Sequence, residues 1–179
     1  VMAIVMLLTG PDGDPIKTFE EKVVWVKGMK GSERRLAFIR GDLNATRENP
    51  AAYKKHVLPV IKKGDAYTWF HHGLLDVSTG QHGKDPNFTE PTFEALYEAT
   101  YGVAPSGAFY DAYKLVKSWR DALQKAFWVN KGNPNKDKLV AALNKMINDP
   151  ESVAAIEKKV GKYEWRTGTD GDAAVRTLK

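Results

Sequence analysis

The sequence predicts an α/β protein. Short β-rich runs bounded by turn formers crowd the first half, a glycine corner leads one of them into a helix, and from Pro91 onward apolar residues recur at spacings of three and four. A chain of 179 residues can build one real core or two small lobes. Its 42% hydrophobic and 27% charged residues fit a soluble globular protein.

The elements follow in order. Residues 1–8 form an apolar run, too short to cross a bilayer and without the basic leader and cleavage site of a signal peptide, so a buried strand is expected. The turn formers "TGPDGDP" follow, then "KVVWVK" at 22–27, which reads as a second strand. After Gly28 and Gly31, Ser32 is the expected N-cap of the helix "ERRLAFIR", with Gly41 as its stop, and 43–46 reads as a short strand. Pro50 opens a helix with Tyr53, Val57, Leu58 and Ile61 on one face, ended by Gly64 and kinked or broken at Pro59. "AYTWF" at 66–70 is a third strand, and 73–90 is a polar connection.

The second half reads as helical. Pro91 starts a segment carrying Phe93, Leu96 and Tyr97 and ended by Gly102. The clearest helix runs over 108–130, where Phe109, Ala112, Val116, Trp119, Leu123 and Phe127 form the stripe. Two more helices carry Leu139, Val140, Leu143 and Ile147, then Val153, Ile156 and Val160 up to Gly161. "KYEWR" at 162–166 is a last short strand before a helical stretch from Asp170.

Composition removes several kinds of chemistry. The net charge of +5 suits anionic partners, but the basic pairs at 54–55, 62–63 and 158–159 read as solvated helix faces. No basic stripe interleaved with aromatics occurs, so nucleic acid is not an expected partner. The absence of cysteine excludes disulfides, thiolate metal sites and cysteine nucleophiles. A zinc site needs three or four converging ligands, whereas His56 and His82 stand apart and His71 and His72, adjacent on a strand, would face opposite ways; no metal is expected. Asp12 and Asp14 read as a turn, and the "RGD" at 40–42 as a capped helix end. No nucleophile elbow, P-loop or dinucleotide fingerprint occurs, so neither an enzyme nor a cofactor is expected.

The glycine corner is the candidate site. A strand running through Gly28, Met29, Lys30, Gly31 and Ser32 into a helix leaves unpaired N–H groups and a dipole that favour a carboxylate or phosphate. The same residues also make an ordinary corner in which the glycines serve the turn and Ser32 caps the helix.

Four stretches carry a resemblance. In order they are "VKGMKGSERRLAFIRGDLNATRENPAAY", "VLPVIKKGDAYTWFHHG", "DPNFTEPTFEALYEATYGVAPSGAFYDAY" and "KGNPNKDKLVAALNKMINDPESVAAIEKKVGKYEW". Together, over about residues 22–163, they resemble the substrate-binding receptors of tripartite tricarboxylate transporters, the TctC or Bug family. "EPTFEALYEATYG" looks like that family's PT-x-x-E element, and Asn133 stands where its G-T-P turn usually has threonine. The resemblance implies a type II periplasmic-binding-protein lobe with additional C-terminal helices and an incomplete first lobe. Residues 1–90 would be a second-lobe α/β segment shortened near 21/22, and 91–179 the crossover and helix-rich end of the first lobe. It further implies a periplasmic, non-enzymatic receptor that hands a small organic acid to a membrane permease. The ligand would meet Gly28, Met29, Lys30, Gly31 and Ser32, with Thr46, Arg47 and Asn49 of the "TRENP" loop beside them. The alternative is a non-binding structural domain derived from such a receptor, forming a homo-oligomer through surface exposed by truncation, with Trp119, Phe127 and Trp128 as the candidate contacts.

Overall fold

The computed structural model describes residues 1–76, 81–123, 127–162 and 165–168. Among them the protein is mixed but mostly helical, with little strand. Helix α1 (Met2–Thr9) takes the place of the expected first strand. Its continuous apolar run fits a buried helix as well as a buried strand, and Met, Ala and Leu are good helix formers. Helix α2 (Pro15–Lys22) follows, with the Asp14 carboxylate accepting from the N–H groups of Ile16 and Lys17 and proline in its first turn.

Of "KVVWVK", Lys22 ends α2 and Val23 turns extended, but residues 23–27 join no sheet, and Val24 lies 92% exposed. Its β-branched residues favour the dihedrals of a strand, but a strand also needs a partner backbone, and none is paired with it. Helix α3 (Gly31–Ile39) begins earlier than expected. Lys30 rather than Ser32 is the N-cap, and its N–H donates to Glu33 Oε2 at 2.9 Å. Residues 43–46 form no strand either.

Helix α4 (Pro50–Ala52) starts where Pro50 predicts, with Asn49 Oδ1 accepting from the N–H of Ala52. It widens into a π-helical turn (Tyr53–Val57) and continues as α5 (Leu58–Lys62). Pro59 explains the widening: it has no N–H for the carbonyl of Lys55, and its ring crowds that carbonyl. The N–H of Leu58 accordingly bonds one residue further back, to the carbonyl of Tyr53.

The stretch at 66–70 is not a strand. Pairing begins one residue later, where His71 and Thr92 form an isolated parallel bridge through His71 N–H to Pro91 O (3.0 Å) and Phe93 N–H to His71 O (2.9 Å). The sheet that does form is an antiparallel hairpin, β1 (Leu74–Asp76) with β2 (Gln81–Gly83), inside the stretch expected to be a polar connection. Gly73 precedes it at φ 73°, and a Cβ there would stand 2.3 Å from the carbonyl oxygen of Gly83. No larger sheet occurs among the described residues.

The remaining elements are α6 (Phe93–Tyr101), capped by Thr92 and ended by left-handed Gly102, α7 (Ala108–Leu123), α8 (Lys136–Ile147) and α9 (Pro150–Val160). Helix α7 is shorter than expected: 124–126 lie outside the described residues, and 127–130 are not helical. Of "KYEWR", residues 163–164 lie outside the described residues and the rest is not strand; the stretch from Asp170 lies outside them entirely.

The core gathers Ala3, Met6 and Leu7 of α1, Phe93 and Tyr97 of α6 and Tyr113 of α7. Phe93 is its fully buried centre, with the rings of Phe70, Tyr97 and Tyr113 at 5.8, 5.9 and 5.1 Å. Helix α7 buries a face the sequence stripe did not mark: Tyr113 and Lys117 are inside, while Val116 and Trp119 are exposed. Helices α8 and α9 pack on each other, and α9 on α4. Asn87 fastens the end of α9, its side chain donating to Lys162 O and accepting from Lys162 N–H, each at 2.9 Å.

Candidate functional site

A cleft of 1720 Å³ runs between the core body and the α8–α9 pair. Tyr53, Trp69 and Phe70 supply one part of its wall, and Leu143, Met146 and Ile147 of α8 another. A notch of 180 Å³ adjoins it, lined by Gly31, Arg34, Arg35, Arg47, Glu48, Asn49 and Arg120. Arg47, Glu48 and Arg120 line both spaces, so the notch opens onto the cleft through a basic corner.

Local structure positions that corner. Arg34 reaches back from α3 and ties down the following loop, its Nε donating to Thr46 Oγ1 at 3.0 Å and its Nη2 to Arg47 O at 2.8 Å. Arg35, next on the helix, holds Glu48 through two bonds of 3.1 and 3.3 Å, and both side chains are largely buried. The loop is therefore pinned on each side of Arg47. Across the notch stands Arg120 of α7. Among the described residues no ion pair or hydrogen bond joins the Arg47 or Arg120 guanidinium to a carboxylate. The basicity of Arg47 is lowered, first by partial burial and then by repulsion from Arg120 and Arg34, against a smaller pull from Glu48.

The carboxylates on the cleft wall are mostly engaged. Glu48 is held by Arg35, and Asp85 accepts from both the backbone and side-chain N–H of Asn87. Asp121 Oδ2 lies 3.3 Å from His82 Nε2 and 3.8 Å from Lys117 Nζ, and Asp65 is exposed. An anion entering the basic corner thus meets Arg47 beside a Glu48 already held by Arg35, and Arg120 beside an Asp121 that faces His82 and Lys117.

Behind Asp121 lies a buried polar cluster. His82 Nε2, Lys117 Nζ and Asp121 Oδ2 are enclosed, yet none is in hydrogen-bond geometry. Burial pushes the Lys117 amine down to about 7, against the attraction of Asp121, and pushes the Asp121 carboxyl up. His72 Nδ1 lies 2.9 Å from the Tyr113 hydroxyl, and burial, with Arg120 and Lys117 near, takes the imidazole down to about 4. His71 faces elsewhere, stacked on Phe88, with its Nδ1 accepting from Gly73 N–H. Among the described residues no group of three or more His, Cys, Asp or Glu converges as a metal site would require.

The expected site residues divide. Gly31, Arg47 and Asn49 line the notch, and Thr46 and Arg47 line the cleft. Gly28, Met29, Lys30 and Ser32 line neither and are exposed; a Cβ at Gly28 would meet nothing. The Lys30 amide is already taken by Glu33, so the anion that completes this helix start comes from the helix itself. Sequence reasoning missed Arg34, Arg35 and Arg120. The adjacent arginines were a visible signal; Arg120 carried none, because only the fold brings α7 to the loop at 46–49.

No protein family, curated protein or solved structure matches the chain. No helix among the described residues is long and apolar enough to cross a membrane.

Proposed function

We propose that this chain is a non-enzymatic binding module for organic carboxylates, a receptor-derived domain of the kind its ordered stretches resemble. The observation that carries the reading is the basic corner at the junction of notch and cleft: Arg47, on a loop fixed by Arg34 and Arg35, and Arg120 of α7, neither with a carboxylate in contact among the described residues. Planar guanidinium groups suit carboxylates because they offer paired donors. Delivery to a tripartite-transporter permease in the periplasm, and descent from a type II binding-protein lobe, rest on the sequence stretches alone. The two-stranded hairpin supplies no sheet of the size such a lobe needs.

Thermal melting in citrate, malate, glutamate and benzoate tests the reading. An acid that binds the folded chain raises the midpoint by mass action, by about 2.7 kcal/mol of stabilisation at a hundredfold excess over Kd. An unchanged midpoint with every acid, long-chain acids included, removes the proposal.

A second reading is favoured by one observation. Trp119, Phe127 and Trp128 are 52%, 76% and 73% exposed, which suits self-association. Light scattering over a wide concentration range distinguishes this homo-oligomer from a monomeric binder.

A further inference from the structure

The cleft is larger than a small acid requires. Its 1720 Å³ exceeds the roughly 300–1,000 Å³ of ordinary small-molecule pockets. Most of its wall is apolar, and it includes the aromatic rings of Tyr53, Trp69 and Phe70 and the side chains of Leu143, Met146 and Ile147 of α8. A di- or tricarboxylate held at the basic corner would leave that wall wet, and turning a second carboxylate toward the rings would strip its water without giving it a partner. A neutral apolar molecule would cover the wall but leave Arg47 and Arg120 without a counter-charge.

We propose that the cleft takes a free monocarboxylic acid with one long apolar tail, the carboxylate held by Arg47 and Arg120 and the tail lying against the wall formed by Tyr53, Trp69, Phe70 and α8. This rests on the carboxylate-binding reading and names its ligand class. Arg47 and Arg120 line both the notch and the cleft, whereas the apolar residues line the cleft alone. Affinity should therefore grow with tail length while selectivity for an acid over its ester comes from the corner. Burial of each methylene multiplies affinity about fourfold.

The test is a titration series from butanoate to dodecanoate, below the micelle concentration, read by the fluorescence of Trp69, Trp128 and Trp165, all of which line the cleft. Expected are a fall in Kd of about fourfold per added methylene and binding of the methyl ester at least about tenfold weaker than that of the acid. Arg47→Gln and Arg120→Gln, each checked for an unchanged circular dichroism spectrum, should weaken the acid and leave the ester as it was. Citrate or malate binding with no gain from tail length overturns this inference and leaves the carboxylate reading standing. Equal affinity for acid and ester, or arginine variants that do not separate them, overturns the placement of the head group. Binding only to phosphatidylglycerol vesicles, with no free acid bound, replaces the ligand by a membrane surface and also overturns it. Failure of every acid, short or long, removes both proposals.

Discussion

Removing the buried charges of Lys117 and Asp121 together should stabilise the protein and erase a pH dependence. Lys117 sits with its side chain 4% exposed, and its Nζ, 3.8 Å from Asp121 Oδ2, makes no hydrogen bond among the described residues. Its pKa falls from 10.5 to about 7. In the unfolded chain Lys117 keeps its proton up to the higher value, whereas the folded chain releases it near the lower one. Between the two the unfolded state holds more protons, so stability rises with pH; below the folded value both states are charged and the whole cost of the buried ammonium is felt. At 1.36 kcal/mol per unit the full window amounts to about 5 kcal/mol, of which about 2 kcal/mol falls between roughly pH 7 and pH 9. Replacing both charges with apolar or neutral groups of similar size, as Lys117→Met with Asp121→Asn, should gain about 1–4 kcal/mol near pH 7. Urea unfolding followed by circular dichroism across that range reads both effects. If the double variant is less stable than the parent and keeps its rise with pH, Lys117 is a paired structural cation, and the account of a strained buried amine is wrong.

Other substitutions test other links. Phe93→Ala empties the centre of the aromatic core and should cost about 3–5 kcal/mol in denaturant unfolding; a loss under about 1 kcal/mol would place the core elsewhere. Asn87→Ala removes both bonds to Lys162 and should speed hydrogen exchange in α9 while sparing α1, at a cost of about 1–2 kcal/mol. Unchanged exchange in α9 would show that Asn87 fastens nothing. Glu33→Ala frees the Lys30 amide and should lower stability by about 0.5–1 kcal/mol without altering acid affinity. A gain in affinity would return the glycine corner to the site.

Helix starts were legible in the sequence wherever a side chain or ring declares them. Pro50, Gly102 and Pro150 mark real ends, because capping and proline geometry act over only a few residues, whereas Pro91, expected to open α6, pairs with His71 and leaves the start to Thr92 and Phe93. Strands were not legible, since a strand is completed by a partner far away in sequence. "KVVWVK" has the residues but no ladder, and its Lys22 is taken by α2, while the real hairpin sits between Gly73 and Gly83 in a stretch whose polar composition hid it. The long stripe on α7 identified the helix but not its buried side: Tyr113 joins the core and Lys117 is buried beside Asp121, while the more hydrophobic Val116 and Trp119 stay outside. In the site, Arg47 and Asn49 were visible through their loop. Arg120 joins them only because α7 is packed across from that loop.

Crystals grown with 12-bromododecanoate would locate both ends of the ligand at once, since bromine scatters anomalously and marks the end of the tail. The carboxylate should lie between Arg47 and Arg120 and the bromine peak among Trp69, Leu143 and Met146. A carboxylate bound instead at the amides of Gly28 to Ser32, or a cleft that stays empty at saturating acid, would contradict this placement.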